Sequence, residues 1–294
     1  MTRVSWLMGI NAIVFVALLS PFAAHALELS YVPVGNPGNP ACPQNNRGAV
    51  AYAYEMAATE VTNAQYAEFL NAVAAQEDPY ALYDINMATG LFGGIERSQD
   101  QGRFQYKPIA GYEQLPVVYV SWHDCARFCN WLHGGNTEDG AYDMTSPQPA
   151  RGKNARYVLP TVDEWIKAAY YDPQKKDNAG YWQYPVRTDA KPKCVAPPGT
   201  SDAANYFDGR WAAPEPFLTP AGAYTSGKSP YGTHDQGGNV MEWLETVAGA
   251  DRRAIAGGDA TKFDYALRID YADAELPGQQ LYIVGFRVVR VGVK

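Results

Sequence analysis

The chain has 294 residues, a formal net charge of −7 and 47% hydrophobic content. Charges of both signs are scattered and no basic run exists, so nucleic-acid binding has no electrostatic support. Glycine (27), proline (21) and tyrosine (21) are frequent, which points to a loop-rich mixed fold with aromatic packing rather than a helical bundle.

Residues 1–26 read as a signal peptide. Arg3 supplies the positive start, Trp6 to Leu19 is an apolar stretch too short for a comfortable membrane span, and Ala24-His25-Ala26 fits the small-x-small cleavage rule. The alternative is a short membrane anchor. Cleavage would leave a mature chain starting at Leu27. No second long apolar run follows, so that chain is expected to lack a membrane span and to be secreted or periplasmic.

Leu27 to Val32 is predicted as a first strand, ended by Pro33 because proline cannot donate to a sheet ladder. Asn36 to Gly48 is a loop. Ala49 to Met56 is predicted as a second strand with Tyr52 and Tyr54 on one face. Thr62 and Gln65 form a capping box before a stripe of Tyr66, Phe69, Leu70 and Val73 at helical spacing. Residues 77–114 are irregular. Leu115 to Val120 reads as a buried strand, after which Ser121 caps a second helix with Asp124 three residues on. Trp122, Cys125, Ala126, Cys129 and Leu132 make its buried face. After a polar insertion at 134–155, Thr161 and Glu164 cap a third helix, with Trp165, Ala168 and Ala169 facing inward. Residues 172–230 are loop-dominated. No repeat or linker interrupts the chain, so residues 27–294 read as one domain.

Cys42, Cys125, Cys129 and Cys194 are an even number, which favours disulfides in an exported chain and allows three connectivities. Cys125 and Cys129 share a helical face but sit too far apart for an unstrained mutual bond. Each pairs with Cys42 or Cys194, or stays free and buried, or joins a soft metal pair.

Five segments occur in a familiar order. Glu60-Val-Thr-Asn-Ala-Gln-Tyr-Ala-Glu-Phe69, Pro116-Val-Val-Tyr-Val-Ser-Trp-His-Asp-Cys-Ala126, Leu159-Pro-Thr-Val-Asp-Glu-Trp165, Tyr231-Gly-Thr-His-Asp-Gln-Gly-Gly-Asn-Val-Met-Glu-Trp243 and Gly285-Phe-Arg287 resemble the successive motifs of the formylglycine-generating enzyme, or sulfatase-modifying factor, family. The resemblance spans nearly the whole mature chain. It implies an α+β fold, a loop-rich variant of the C-type-lectin-like architecture with few helices around a small twisted antiparallel sheet.

In the family's oxidases two cysteines hold copper shortly after an R-G-G-S-W/Y motif. The matching stretch here, Arg253 to Arg268, contains no cysteine. Asp259 and Ala260 replace the residues after the glycines, and the cysteine positions fall near Lys262 and Leu267. The resemblance also places a structural disulfide cysteine near Cys129, but its usual partner position is Val288. Copper is therefore not expected. No H-E-x-x-H or G-x-S-x-G motif offers another catalytic set.

The resemblance further implies a calcium site on the side chains of Asp235 and Glu242 and the carbonyls of Gly238 and Val240, since calcium takes six to eight hard oxygen ligands. From the residues alone, this segment also reads as a tight turn with solvated carboxylates. A second family site would fall on Asn205, the Tyr206 carbonyl, Glu215 and the Phe217 carbonyl. The expectation is an exported, calcium-stabilised, non-oxidase domain. It would bind a peptide, glycan or envelope partner in the former active-site cleft around Asp259, Lys262 and Arg268. The alternative is a protein-modifying oxidoreductase of the formylglycine-generating type with relocated metal ligands, drawn from Cys125 and Cys129.

Overall fold

A computed structural model describes residues 27–292. The signal-peptide expectation for residues 1–26 lies outside the described residues. Among the described residues, no helix is long and apolar enough to cross a membrane.

The strongest local signals in the sequence become the helices. Thr62, Ser121 and Thr161 each accept a hydrogen bond from the backbone N–H three residues on, and the side-chain oxygens of Gln65, Asp124 and Glu164 each accept one from the cap residue's own N–H. Such caps contribute about 1 kcal/mol apiece. They open α1 (Asn63–Val73), α3 (Trp122–Gly134) and α4 (Val162–Tyr170), with a single turn, α2 (Asn86–Thr89), between the first two.

Two four-stranded sheets flank the helices. The first has the order β1-β2-β12-β5, formed by Tyr31–Val34, Tyr54–Ala57, Val289–Arg290 and Tyr157–Val158, all antiparallel. It ties the last strand between early ones and so closes the domain. The second has the order β10-β9-β8-β11, formed by Asp273–Glu275, Arg252–Ala256, Met241–Ala248 and Val284–Gly285. Here β11 joins β8 in parallel, so the sheets are mixed rather than purely antiparallel. A hairpin, β3 (Ile95–Asp100) with β4 (Arg103–Pro108), and a short parallel pair, β6 (Lys193–Cys194) with β7 (Ala203–Ala204), complete the strands.

Aromatic packing joins α1 to α3. Tyr66, Phe69, Phe128 and Phe286 form a chain of contacts with ring centroids 5.2–5.4 Å apart, all fully buried. Each such side chain contributes about 1.5–3 kcal/mol of hydrophobic stabilisation. The large indoles are anchored at their polar ends, as buried tryptophans require: Trp122 Nε1 donates to the Leu244 carbonyl at 3.0 Å, and Trp243 Nε1 to the Val120 carbonyl at 2.9 Å. These bonds lock α3 against β8.

Three expectations are corrected. Pro33 lies inside β1, opposite Glu55; β1 is an edge strand, where a missing donor costs no ladder bond. Leu115 to Val120 is buried but is not a strand. Pro116 lacks a donor, Tyr119 sits at φ 60, and the run bonds instead to Val61 and Leu281. The irregular 77–114 segment contains the β3–β4 hairpin. Its strands are largely exposed on both faces, so no alternation appears, and Gln101 (φ 49) with Gly102 (φ 81) makes the turn.

Candidate functional site

The second sheet carries the chemistry-bearing segments. Glu242, the second residue of β8, is fully buried and meets Arg287, which follows β11. Oε1 accepts from Arg287 Nη2 at 2.7 Å; Oε2 accepts from Arg287 Nε at 2.7 Å and from Trp165 Nε1 at 2.8 Å. Arg287 also donates to the Ala57 and His234 carbonyls at 3.1 and 2.9 Å. Burial opposes the charge of this guanidinium, but the Glu242 carboxylate outweighs it, and Arg287 stays firmly protonated.

Two further carboxyls adjoin this pair. Glu60 accepts from Asn239 Nδ2 at 3.0 Å through Oε1, while its Oε2 is buried with no partner. Burial and then the charge of Asp235 push the Glu60 carboxyl well above the usual range. Asp235 accepts from the Gly222 N–H at 2.6 Å, and burial pushes it up to about 6. Gly238 sits at φ +91, and a Cβ there would stand 2.1 Å from the Asn205 carbonyl. Only glycine permits that approach.

These contacts decide how the residues of the first calcium set are used. Both Glu242 oxygens are engaged, and a divalent cation on them would face a buried guanidinium. The set as arranged does not fit a calcium shell. The second set fits no better. Asn205 Nδ2 donates to the Phe217 carbonyl at 2.9 Å and to Asn239 Oδ1 at 3.1 Å. The Cys194 thiol occupies the Tyr206 carbonyl at 2.9 Å, and Glu215 is exposed. Asn205 Oδ1 alone in this set is buried without a partner.

The three residues of the expected cleft do not share one recess. Asp259 is buried and its carboxylate accepts from the N–H and hydroxyl of Thr261 at 2.8 and 2.5 Å, a turn closed on itself. Burial pushes its carboxyl up. It pairs with neither Lys262 nor Arg268. Arg268 is exposed and bound to Asp270 by two hydrogen bonds of 3.0 Å. Lys262 is half-buried, and its carbonyl accepts from the Phe207 N–H at 2.9 Å.

That last bond brings an aromatic face beside Lys262, which composition alone did not disclose. Phe207 packs edge-on against Trp211 and Phe263, with centroids at 5.1 and 5.4 Å, and Trp211 stacks on Phe217 at 4.2 Å. Trp211 is 37% exposed and Phe263 48%. Phe217 holds φ 68, a conformation rare for a bulky residue.

The cysteines lie apart and unpaired. Cys42 packs with Trp165 and Tyr181, Cys194 with Tyr184 and Tyr206, and Cys125 and Cys129 in the main core. Expected disulfides are therefore not formed. Burial pushes the Cys125 and Cys129 thiols well up, away from the thiolate that a metal site needs. Their solvent-free position leaves the relocated-ligand alternative without a supporting contact.

A separate cavity of about 350 Å³ opens between α4, the β8–β9 hairpin and the 268–273 loop. Trp165, Tyr170, Leu244 and Ile255 wall it, Arg47, Arg268 and Asp270 stand among its lining residues, and Asp259 and Lys262 do not line it.

Comparison with known proteins agrees with this architecture. The model of the sulfatase-modifying factor enzyme 1-like domain matches residues 33–291. The crystal structure of CarF superposes with a TM-score of 0.60 at 24% identity, covering 90% of this chain and 98% of CarF. Treponema denticola variable protein 1 gives a TM-score of 0.53 at 17% identity, covering 89% of this chain and 95% of that one. At these identities the likeness concerns the fold. The serine/threonine-protein kinase pkn1 of Chlamydia caviae is 25% identical over 191 residues, 65% of this chain but only 22% of the kinase.

Proposed function

This chain belongs to the sulfatase-modifying factor enzyme 1-like family, and from that premise we propose that it is an exported binding domain that does not oxidise cysteine. Its ligand is a peptide or glycan of the cell envelope, held on the aromatic face beside Lys262.

One observation carries the reading. The segment that resembles the oxidase site holds a self-closed Asp259 turn and a lysine where thiolates would stand, while Trp211 and Phe263 next to it remain partly exposed. Exposed rings grouped on one face mark an interaction site and stack on sugar or side-chain rings. Lys262 and Arg210, which enter no ion pair among the described residues, supply charge-assisted hydrogen bonds at its border. Calcium has no part in this reading, because Glu242 is closed by Arg287.

The test is binding of residues 27–294 to arrays of envelope glycans and of peptides. Trp211→Ala and Phe263→Ala should abolish the signal while circular dichroism shows both variants still folded, with the melting temperature lowered by a few degrees. Retained binding in both variants would remove the aromatic face from the reading. Formylglycine detected by mass spectrometry in a sulfatase-type cysteine peptide, with copper supplied, would overturn the non-oxidase assignment.

A further inference from the structure

The cavity under α4 is built for a different guest, and it shares no residue with the aromatic face. The polar atoms of its two α4 rings are bonded away from the void. Trp165 spends its N–H on Glu242, and the Tyr170 hydroxyl donates to the Leu267 carbonyl at 3.0 Å. With Leu244 and Ile255 opposite, the chamber offers an incoming group apolar surface and few polar partners. A volume of about 350 Å³ is at the lower end for a small-molecule site.

The border of the cavity is charged, and its charges are unequally committed. Arg268 is neutralised by Asp270 through two bonds, and Asp273 accepts from the Tyr271 hydroxyl at 2.9 Å and its own neighbour's N–H, that of Ala274, at 2.9 Å. Arg47 is exposed and enters no ion pair among the described residues. Its backbone is fixed by bonds from its N–H to Asn45 Oδ1 at 3.0 Å and from the Cys42 N–H to its carbonyl at 2.7 Å. The guanidinium therefore hangs from an anchored loop at an apolar recess.

We propose that this cavity is a binding site for a small monoanionic carboxylate with a ring-sized apolar body, the body in the Trp165–Tyr170 chamber and the carboxylate on Arg47. A guanidinium fork matches both carboxylate and phosphate. Asp273, the acid at the same border with no basic partner among the described residues, decides between them, because a dianion meets twice the repulsion that a monoanion does.

The probe is 3-phenylpropionate, titrated into residues 27–294 by calorimetry. Its neutral amide and phenyl phosphate serve as comparisons. The carboxylate should bind, and Arg47→Gln should weaken it about tenfold while the amide binds both proteins equally. Because Arg47 is exposed and makes only backbone bonds, the variant keeps its fold. No binding of 3-phenylpropionate at millimolar concentration, an Arg47→Gln protein that binds it unchanged, or tighter binding of phenyl phosphate would each overturn the proposal. Trp211→Ala should leave this titration unaffected, which separates failure here from failure of the aromatic-face reading.

Discussion

Breaking the Arg287–Glu242 pair should be strongly asymmetric. In Arg287→Met the Glu242 carboxylate keeps only the Trp165 N–H, and the Ala57 and His234 carbonyls lose a donor. Removing one partner of a buried pair costs about 3–5 kcal/mol, a large share of the 5–15 kcal/mol typical of a domain. Glu242→Gln should cost less. Arg287 still has the Asp235 carboxyl near it, and the Glu60 carboxyl can ionise to face it; the glutamine oxygen still accepts from Trp165 or Arg287. The double variant should be at least about 2 kcal/mol more stable than the sum of the two single losses, because the stranded carboxylate is gone. Urea denaturation of the four proteins at pH 7 measures this cycle. A larger cost for Glu242→Gln than for Arg287→Met, or simple additivity, would refute the argument that the guanidinium holds the cluster together.

Asp124 is buried and pushed up to about 6 by desolvation. A carboxyl raised in the folded state gives stability that is complete below its unfolded value, about 3.9, and is lost as pH rises through 6. The wild type should therefore lose about 2 kcal/mol relative to Asp124→Asn between pH 4 and 6, and parallel stability curves would contradict this. Chelation should leave the melting temperature unchanged; a rise of several degrees on adding calcium would show that Asp235 and Glu242 reorganise around the ion. Native protein should resist thiol labelling, since all four cysteines are buried and free. Unfolding without reductant should expose four reactive thiols per chain, and fewer would reveal a disulfide.

What the sequence disclosed was mostly local. Thr62–Gln65, Ser121–Asp124 and Thr161–Glu164 lie three residues apart, so each capping box is readable without knowing any tertiary contact. Glu164 shows the limit of such reading. Besides capping α4, it takes two bonds of 2.9 Å from Arg151 and one of 2.8 Å from the Tyr52 hydroxyl, and Arg151 also reaches Glu245 at 2.5 Å. Arg151 lies in a stretch that reads as a polar insertion, and nothing within it announces a partner 94 residues away. The aromatic face was hidden for the same reason. Phe207, Trp211, Phe217 and Phe263 have no common period; a bridge between Phe207 and Trp211 and the Phe207 to Lys262 bond bring them together.

The calcium pattern illustrates how a donor list underdetermines its cation. Glu60, Asp235 and Glu242 place three carboxyls around one guanidinium, an excess of acid that a buried site cannot leave charged. Here burial favours the protonated form of two of the three. Burial pushes the Glu60 carboxyl well up and Asp235 to about 6, while Glu242 is bonded to Arg287 on both oxygens. A divalent ion could neutralise the same oxygens, but it would have to displace the guanidinium or sit against it. In sequence, Asp235-Gln-Gly-Gly-Asn-Val-Met-Glu242 reads identically in either case. What separates the two is Arg287, 45 residues beyond Glu242, whose tethered charge already stands on both Glu242 oxygens.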